Sequence, residues 1–352
     1  MHDHLYHAQN KKGIGLSAWV RRGKLEDLFL SDTTIGNFIP ESIFWGKVQK
    51  SLKGTGGYFI SLPEGRVGFL RNSPPLQEGE MILVQVNGYP QQNKHVSLQS
   101  RIIIKGKGII LTQGVPGINI SKTISNPERR QALLTKVEEA LAHADFKQDD
   151  TGVIIRTSCG RSDHNIKQEI EGLLVTLEKI RQIQKPSKPI LVATGPSVHE
   201  RAERDWLPDQ HFVVQDVGDQ IDDFGLWDLI FENTKEKVEL GNNASLYIEK
   251  THAMIVIDVN SGGINSKQSA KRISMEAAEI IPRELRLRGY GGKVTIDFPS
   301  MNKSDMNDVE KRLNLVFKND NVPTKLIGWT KSGNYELQRK RDRLPVNEIL
   351  NI

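Results

Sequence analysis

Apolar positions along the chain fall into short β-branched runs, interrupted by longer stretches with the 3.6-residue period of helices. Gly15–Val20 and Leu25–Leu30 flank the polar turn Arg21–Lys24 and predict a β-hairpin. Five short runs follow between residues 37 and 100: Ile43–Val48, Gly57–Leu62, Val67–Leu70, Met81–Val86 and Val96–Gln99. Five such strands match a small OB-type barrel. Lys53–Gly57 has the glycines of a phosphate loop but lacks the Gly-Lys-Ser/Thr ending and a following helix, so it reads as a hairpin turn.

Ile102–Ile104 and Gly108–Leu111 add a further β pair, and Gln113–Lys122 reads as turns. Asn126 as cap and Pro127 in the first turn open a helix to about Ala144. Val153–Ile155 is a strand that ends on Arg156 and Thr157. From Asn165 to Gln184 the pattern is helical, with Ile166, Ile170, Leu173, Leu174, Leu177 and Ile180 on one face. Lys185–Pro189 is a linker signal before the strand Ile190–Ala193. Helices are predicted over Ser197–Trp206, Phe224–Glu239, Ser269–Arg288 and Asp305–Val316. The strand Lys325–Trp329 and a basic helix, Tyr335–Arg343, close the chain. His2, His4 and His7 read as a loose terminus rather than a metal site.

Two runs carry chemistry at their ends. Ala253–Ile257 and Lys293–Ile296 predict buried strands, and each is followed by an aspartate, Asp258 and Asp297. An Asp at a buried strand's end emerges at the sheet rim, where open sheets place their ligands. If the strands are neighbours, the carboxylates converge and repel unless a cation lies between them. Mg2+, held by one or two carboxylates and substrate phosphate, suits such a site. Asn260, before a Gly-rich turn, can orient a water or a carboxylate there. The alternative is that both aspartates only cap local turns. Phe59 and Phe69 lie on strands that should be adjacent. They either stack on bases, with Lys94 holding phosphate, or belong to the barrel core. Arg156 and Thr157 either grip a phosphate or form a salt bridge on a solvated loop.

The 352 residues allow two to three domains, and 26% charged with 37% hydrophobic residues fits a globular chain. No apolar run reaches the ~18 residues of a membrane span, and the first residues lack a signal-peptide core. Cys159 is the single cysteine, which excludes an intramolecular disulfide and a multi-Cys zinc site within one subunit. A reducing cytoplasm is the expected compartment. A net charge of +5 permits a polyanionic partner.

Several words in one order resemble the ribonuclease E/G family of endoribonucleases. They are Ser245–Glu249, Ile257-Asp258-Val259-Asn260-Ser261, Glu276-Ala277-Ala278-Glu279-Ile280, Glu284-Leu285-Arg286-Leu287-Arg288, Gly291-Gly292, Ile296-Asp297-Phe298 and Gly333–Arg341. The resemblance implies an α+β fold of several subdomains. An OB-fold barrel at 37–100 and a 5′-phosphate sensor region at 101–187 would be inserted in a trimmed RNase H-like subdomain (1–36 and 188–237). A DNase I-like α/β catalytic subdomain would follow at 238–352. It implies Asp258 and Asp297 as ligands of Mg2+, with Asn260 as the third catalytic residue. It also implies Phe59, Phe69 and Lys94 as RNA contacts, and Arg156 and Thr157 as binders of a 5′-monophosphate. The implied activity is Mg2+-dependent cleavage of single-stranded RNA in processing or decay. Arg286 or Arg288 either assist there, or bind the backbone or pair with acidic neighbours. The alternative is a non-catalytic RNA-binding protein that keeps the OB-fold.

The departures are specific. Lys331 stands where relatives complete the sensor with an arginine. Phe298-Pro299-Ser300-Met301 replaces a more acidic ending, and Trp206–Ser245 is short. With Cys159 alone, the family's zinc link between subunits through Cys-x-x-Cys is not expected, while oligomerisation stays open.

Overall fold

The computed structural model describes residues 3–52, 56–71, 74–89, 94–144, 150–160, 165–206, 212–263 and 267–350. His2 and Lys53–Thr55 of the glycine-rich turn lie outside them. The chain forms two compact units, one from Met1–Asp32 with Phe212–Ile352, the other from Thr33–His211.

The first unit begins with β1 (Asp3–Gln9), β2 (Gly15–Arg21) and β3 (Lys24–Leu30). The β2–β3 hairpin is as expected, but the histidine-bearing terminus is a strand rather than a loose tail. Leu5 and Ala8 are fully buried, and His7 Nδ1 lies 2.9 Å from Ser17 Oγ. β1 pairs antiparallel with β2 and, on its other side, with a parallel strand some 200 residues later.

The second unit carries β4 (Ile43–Leu52), β5 (Gly57–Ser61), β6 (Val67–Arg71), β7 (Met81–Val86) and β8 (Val96–Gln99). The order β4-β5-β6-β8-β7 closes through β4–β7 pairing, giving a five-stranded, OB-like barrel. Its core is Phe44, Val48, Ile60, Leu62, Leu70, Val84, Val86, Val96 and Leu98. Next come β9 (Ile103–Lys105), β10 (Ile109–Gln113), β11 (Gly117–Ile120), α1 (Pro127–His143), β12 (Thr151–Ile155) and α2 (Ile166–Gln182). They form a sheet of order β11-β12-β10-β9 whose Leu111, Val153 and Ile155 are buried with Leu133, Val137 and Ile170 of the helices. Asn126 accepts from the backbone N–H of Arg129 at 2.8 Å, the cap expected for α1. β11 lies where turns were expected, and it pairs in parallel with the later β12. β13 (Ile190–Ala193) adds to β4, and α3 (Val198–Trp206) ends the unit's described part.

The first unit resumes with β14 (Phe212–Gly218), the parallel partner of β1. α4 (Leu226–Thr234) stops before Glu239, and β15 (Lys237–Glu239) follows. Then come β16 (Ser245–Lys250), β17 (Ile255–Asn260), α5 (Lys267–Leu287), β18 (Gly292–Asp297), α6 (Lys303–Lys318), β19 (Thr324–Trp329), β20 (Tyr335–Arg339) and α7 (Val346–Leu350). The sheet order is β15-β16-β17-β18-β20-β19, and only the β17–β18 pair is parallel. Ile257, Ile296 and Leu337 pack with Ile273, Ala277, Ile281, Val309 and Leu313, so α5 and α6 cover one face. β20 replaces the expected basic helix. Tyr335, Leu337 and Arg339 are buried while Glu336 and Gln338 are exposed, the period of a strand. Arg339 tolerates burial because Asp320 pairs with it at 2.6 Å. Among the described residues no helix is long and apolar enough to cross a membrane.

Candidate functional site

β17 and β18 run in register, Ile255 opposite Val294 and Asp258 opposite Asp297. Side chains of direct partners share a face. Ile257 and Ile296 are buried on the helix side. Asp258, half-buried, and Asp297, exposed, stand on the side away from α5 and α6 at the C-terminal rim of both strands. The expected neighbours are therefore neighbours. Asn260 Nδ2 donates to Asp258 Oδ2 at 2.8 Å, which orients the carboxylate rather than leaving the amide to water. The turn after Asn260 needs glycine. Gly262 has φ +65°, and a Cβ there would lie 2.3 Å from the Asn243 carbonyl oxygen. The Asn243 turn is held from below by Glu276 of α5, which accepts from the Gly241 N–H at 2.8 Å.

Both helices begin at the carboxylate rim, because each follows the C-terminal end of its strand. Their N-terminal dipoles favour an anion near that rim. Lys271, in the second turn of α5, bridges to Asp308 at 2.6 Å and Asp305 at 3.0 Å of α6. Those hydrogen bonds raise its pKa above the ordinary lysine value. Tyr247, directly opposite Asp258 on β16, is exposed on the same face. Neither residue was singled out from the sequence. For Tyr247 the signal was present, since Leu246 and Ile248 on either side alternate inward.

The arginines of Glu284–Arg288 do not belong to this rim. α5 spans 21 residues, about 30 Å at 1.5 Å per residue, and runs back toward the opposite end of the sheet. There Arg286 pairs with Asp320 and, at 3.3 Å, with Asp27. Arg288 pairs with Glu284 at 2.6 Å, and Arg343 pairs with Asp27. Burial pushes the Asp27 carboxyl up, yet the flanking Arg343 and Arg286 outweigh it and hold it below the usual range. These arginines pair with acidic neighbours, the other reading of Arg286 and Arg288, and so hold the core of the unit together. Asp27 and Arg343 are so far apart in sequence that no local pattern marks the network.

On the barrel, Phe59 and Phe69 are direct partners on β5 and β6. Their ring centroids are 5.6 Å apart. Ile60 and Leu70 beside them point into the core, so the two phenylalanines stand outside it. Gly57 makes room for this. A Cβ there would come within 2.5 Å of the Phe69 ring. Lys94 is exposed just before β8.

Arg156 and Thr157 follow β12, as expected, and Arg156 forms the salt bridge of the alternative reading, to Asp205, half-buried rather than on a solvated loop. Arg156 donates to the Gly106 carbonyl at 2.7 Å and to Asp205 at 3.0 Å. Arg204 bonds Asp205 too, and it also grips Glu41 at 2.7 Å, which Lys105 approaches at 2.9 Å. Burial raises the Asp205 carboxyl, but Arg204 and Arg156 beside it hold it far below the usual carboxylate range. Thr157 Oγ1 lies 2.8 Å from Ser121 Oγ. Lys331 is exposed and belongs to the other unit.

The fold and site define an α+β protein with an OB-like barrel in one unit and a strand-end carboxylate pair in the other. The sequence profile of the ribonuclease E/G family matches residues 103–217 and 207–342. Ribonuclease E of Haemophilus influenzae is 28% identical over 312 residues, covering 76% of this chain and 32% of that protein. Ribonuclease G of the same organism is 26% identical, with 78% and 62% covered. Ribonuclease G of Salmonella typhimurium is 23% identical, with 95% and 79% covered. The chain thus spans 32% and 62% of the two Haemophilus proteins. The chain belongs to the ribonuclease E/G family.

Proposed function

We propose that this chain is a Mg2+-dependent endoribonuclease that cuts single-stranded RNA in RNA processing or decay. The observation that carries the reading is the register of Asp258 with Asp297. Two like charges on adjacent strands at the sheet rim, neither in an ion pair with a cationic side chain among the described residues, make a poor structural device and a good seat for a hard cation. Among the described residues no third His, Cys, Asp or Glu joins them. That donor set fits Mg2+, which keeps several waters and takes one or two carboxylates with substrate phosphate. Asp258 and Asp297 would hold the ion and Asn260 would fix the Asp258 carboxylate. When bound, the ion supplies positive charge for the scissile phosphate and a more acidic water. The N-terminal ends of α5 and α6 draw the phosphate toward the same rim.

Phe59, Phe69 and Lys94 hold the single strand on the barrel, rings against bases and ammonium against phosphate. Arg156 and Thr157 form a weak 5′-monophosphate sensor, because part of the Arg156 fork is already taken by Asp205 and Gly106. In the same reading, the β1–β3 sheet with β14 belongs to an RNase H-like subdomain and the six-stranded sheet to a DNase I-like one. The single buried cysteine goes with a cytoplasmic setting. The test is incubation of the pure protein with labelled unstructured RNA, with Mg2+ or with EDTA. Internal cuts that need the ion support the enzyme. Binding without cutting leaves the RNA-binding protein.

A further inference from the structure

Beside the carboxylate pair, the face of the six-stranded sheet away from α5 and α6 carries an aromatic ring. Lys237, Tyr247, Asp258 and Asp297 are direct partners across β15, β16, β17 and β18, so their side chains form one row on that face. Leu246 and Ile248, on either side of Tyr247, fill the core under the helices. Tyr247 is 38% exposed and lies outside that core. Among the described strand residues of this face it is the one ring.

Each neighbour of the ring narrows what it can receive. Adjacent strands lie about 4.8 Å apart, so the ring stands within one nucleotide of a phosphate held at Asp258 and Asp297. Lys237, on the ring's other side, is paired with Glu239 at 2.6 Å. Those two charges cancel, and the row beside the carboxylates offers a π-face without net charge. The neutral, planar part of a nucleotide is its base, and stacking is the contact that such a face makes with it. A phosphate gains less there, because the Glu239 carboxylate stands beside the ammonium.

The next row of the sheet sets the direction of the chain. Glu249, Val256, Thr295 and Glu336 are partners across β16, β17, β18 and β20. Glu249 and Glu336 are exposed. Carboxylates on both sides of a row repel a polyanion. A strand that crossed the sheet away from the rim would lay its phosphates between them. A strand that follows the rim keeps its phosphates off both, and passes the Tyr247 ring as it leaves the carboxylate pair.

We infer that Tyr247 is a specificity residue of the cutting site, whose ring stacks on the base of the nucleotide next to the scissile phosphate. Cleavage then needs a base at that position and favours the larger ring system of a purine. The inference rests on the endoribonuclease reading of Asp258 and Asp297. It involves neither the barrel nor the residues around Arg156.

The experiment is single-turnover cleavage in Mg2+ by the intact chain of an unstructured RNA whose cut site is first mapped. The same RNA is then tested with a single abasic nucleotide moved through the positions around the cut. In wild type, the abasic nucleotide should slow cutting about fivefold or more at one position next to the cut, the lower end of one stacking contact. Tyr247→Ala should slow the unmodified RNA by a similar factor and be indifferent to the abasic nucleotide at that position, while other positions keep their effects. Tyr247→Phe, which keeps the ring, should cut close to the wild-type rate. A purine at that position should be cut faster than a pyrimidine by wild type, and equally by Tyr247→Ala. Melting temperatures of both variants should match wild type, since the side chain lies outside the core. Wild-type cutting by Tyr247→Ala, or a loss to which the abasic nucleotide adds in full, would overturn the stacking role and leave the enzyme reading standing. A loss that Tyr247→Phe shares would assign the effect to the hydroxyl and overturn the stacking role as well. No cutting by wild type would overturn the enzyme reading and the inference with it.

Discussion

Asp258 and Asp297 face each other directly across a parallel ladder, on the side of the sheet away from α5 and α6. Neighbouring like charges favour any state in which a cation is shared between them. Mg2+ should therefore stabilise the folded chain by linkage, about 2.7 kcal/mol at a hundredfold excess over its Kd. Thermal melts with Mg2+ and with EDTA measure it. The shift should vanish in Asp258→Asn and in Asp297→Asn, and an equal shift in those variants would place the ion elsewhere.

Phe59→Ala and Phe69→Ala should weaken RNA binding by roughly 1–3 kcal/mol each. Their melting temperatures should stay near wild type, since both rings lie outside the barrel core. Ile60→Ala, which cuts into that core, should do the reverse, with a stability loss of about 2–5 kcal/mol. Binding curves beside melts read both effects.

The 5′ end tests the Arg156 geometry. Arg156 already donates to Asp205 and Gly106, so a terminal phosphate must share its fork. A preference of only a few-fold for 5′-monophosphorylated over 5′-hydroxyl RNA is expected, below the ~1.5–3 kcal/mol that a full hydrogen bond to a charged group contributes. Arg156→Ala should remove that preference and leave kcat/KM on 5′-hydroxyl RNA nearly unchanged. Equal slowing on both RNAs would make Arg156 a general contact.

Asp205 sets a pH dependence. Its folded pKa is depressed, so its contribution to stability is present above its unfolded pKa of about 3.9 and is lost as the pH falls below that value toward the folded one. Asp205→Asn should cost about 3–5 kcal/mol at neutral pH, because Arg204 and Arg156 lose a buried partner. The gap between wild type and variant in urea unfolding should narrow below about pH 4. A gap that stays constant to low pH would mean that Asp205 is not ionised in the folded chain.

How much of this could be read from the sequence follows from how local each signal is. β17 and β18 were legible because an apolar run ending on Asp needs no distant partner to be recognised, and the barrel strands were legible for the same reason. β1, β11 and β14 were not, since each is completed by a parallel pairing with a distant segment. In the sequence, β20 reads as the start of a basic helix because Arg339 is followed closely by Lys340, Arg341 and Arg343. Its period-two burial makes sense only once Asp320 is known to neutralise Arg339. The outward direction of Phe59 and Phe69 was open in the sequence, although Ile60 and Leu70 carried the alternation that decides it. The role of Arg286 depends on Asp27, far away in the chain.

The central claim is that Asp258 and Asp297 make one ion-dependent cutting site, and the most direct measurement is a single-turnover cleavage assay with unstructured RNA. Wild type, Asp258→Asn and Asp297→Asn are compared in Mg2+ and in EDTA, with RNA binding measured on the same samples. Cutting by wild type in Mg2+ alone, with a fall of at least about 100-fold in each variant and RNA binding retained, is the expected result. Cutting at the wild-type rate by both variants, or by wild type in EDTA, would contradict the claim.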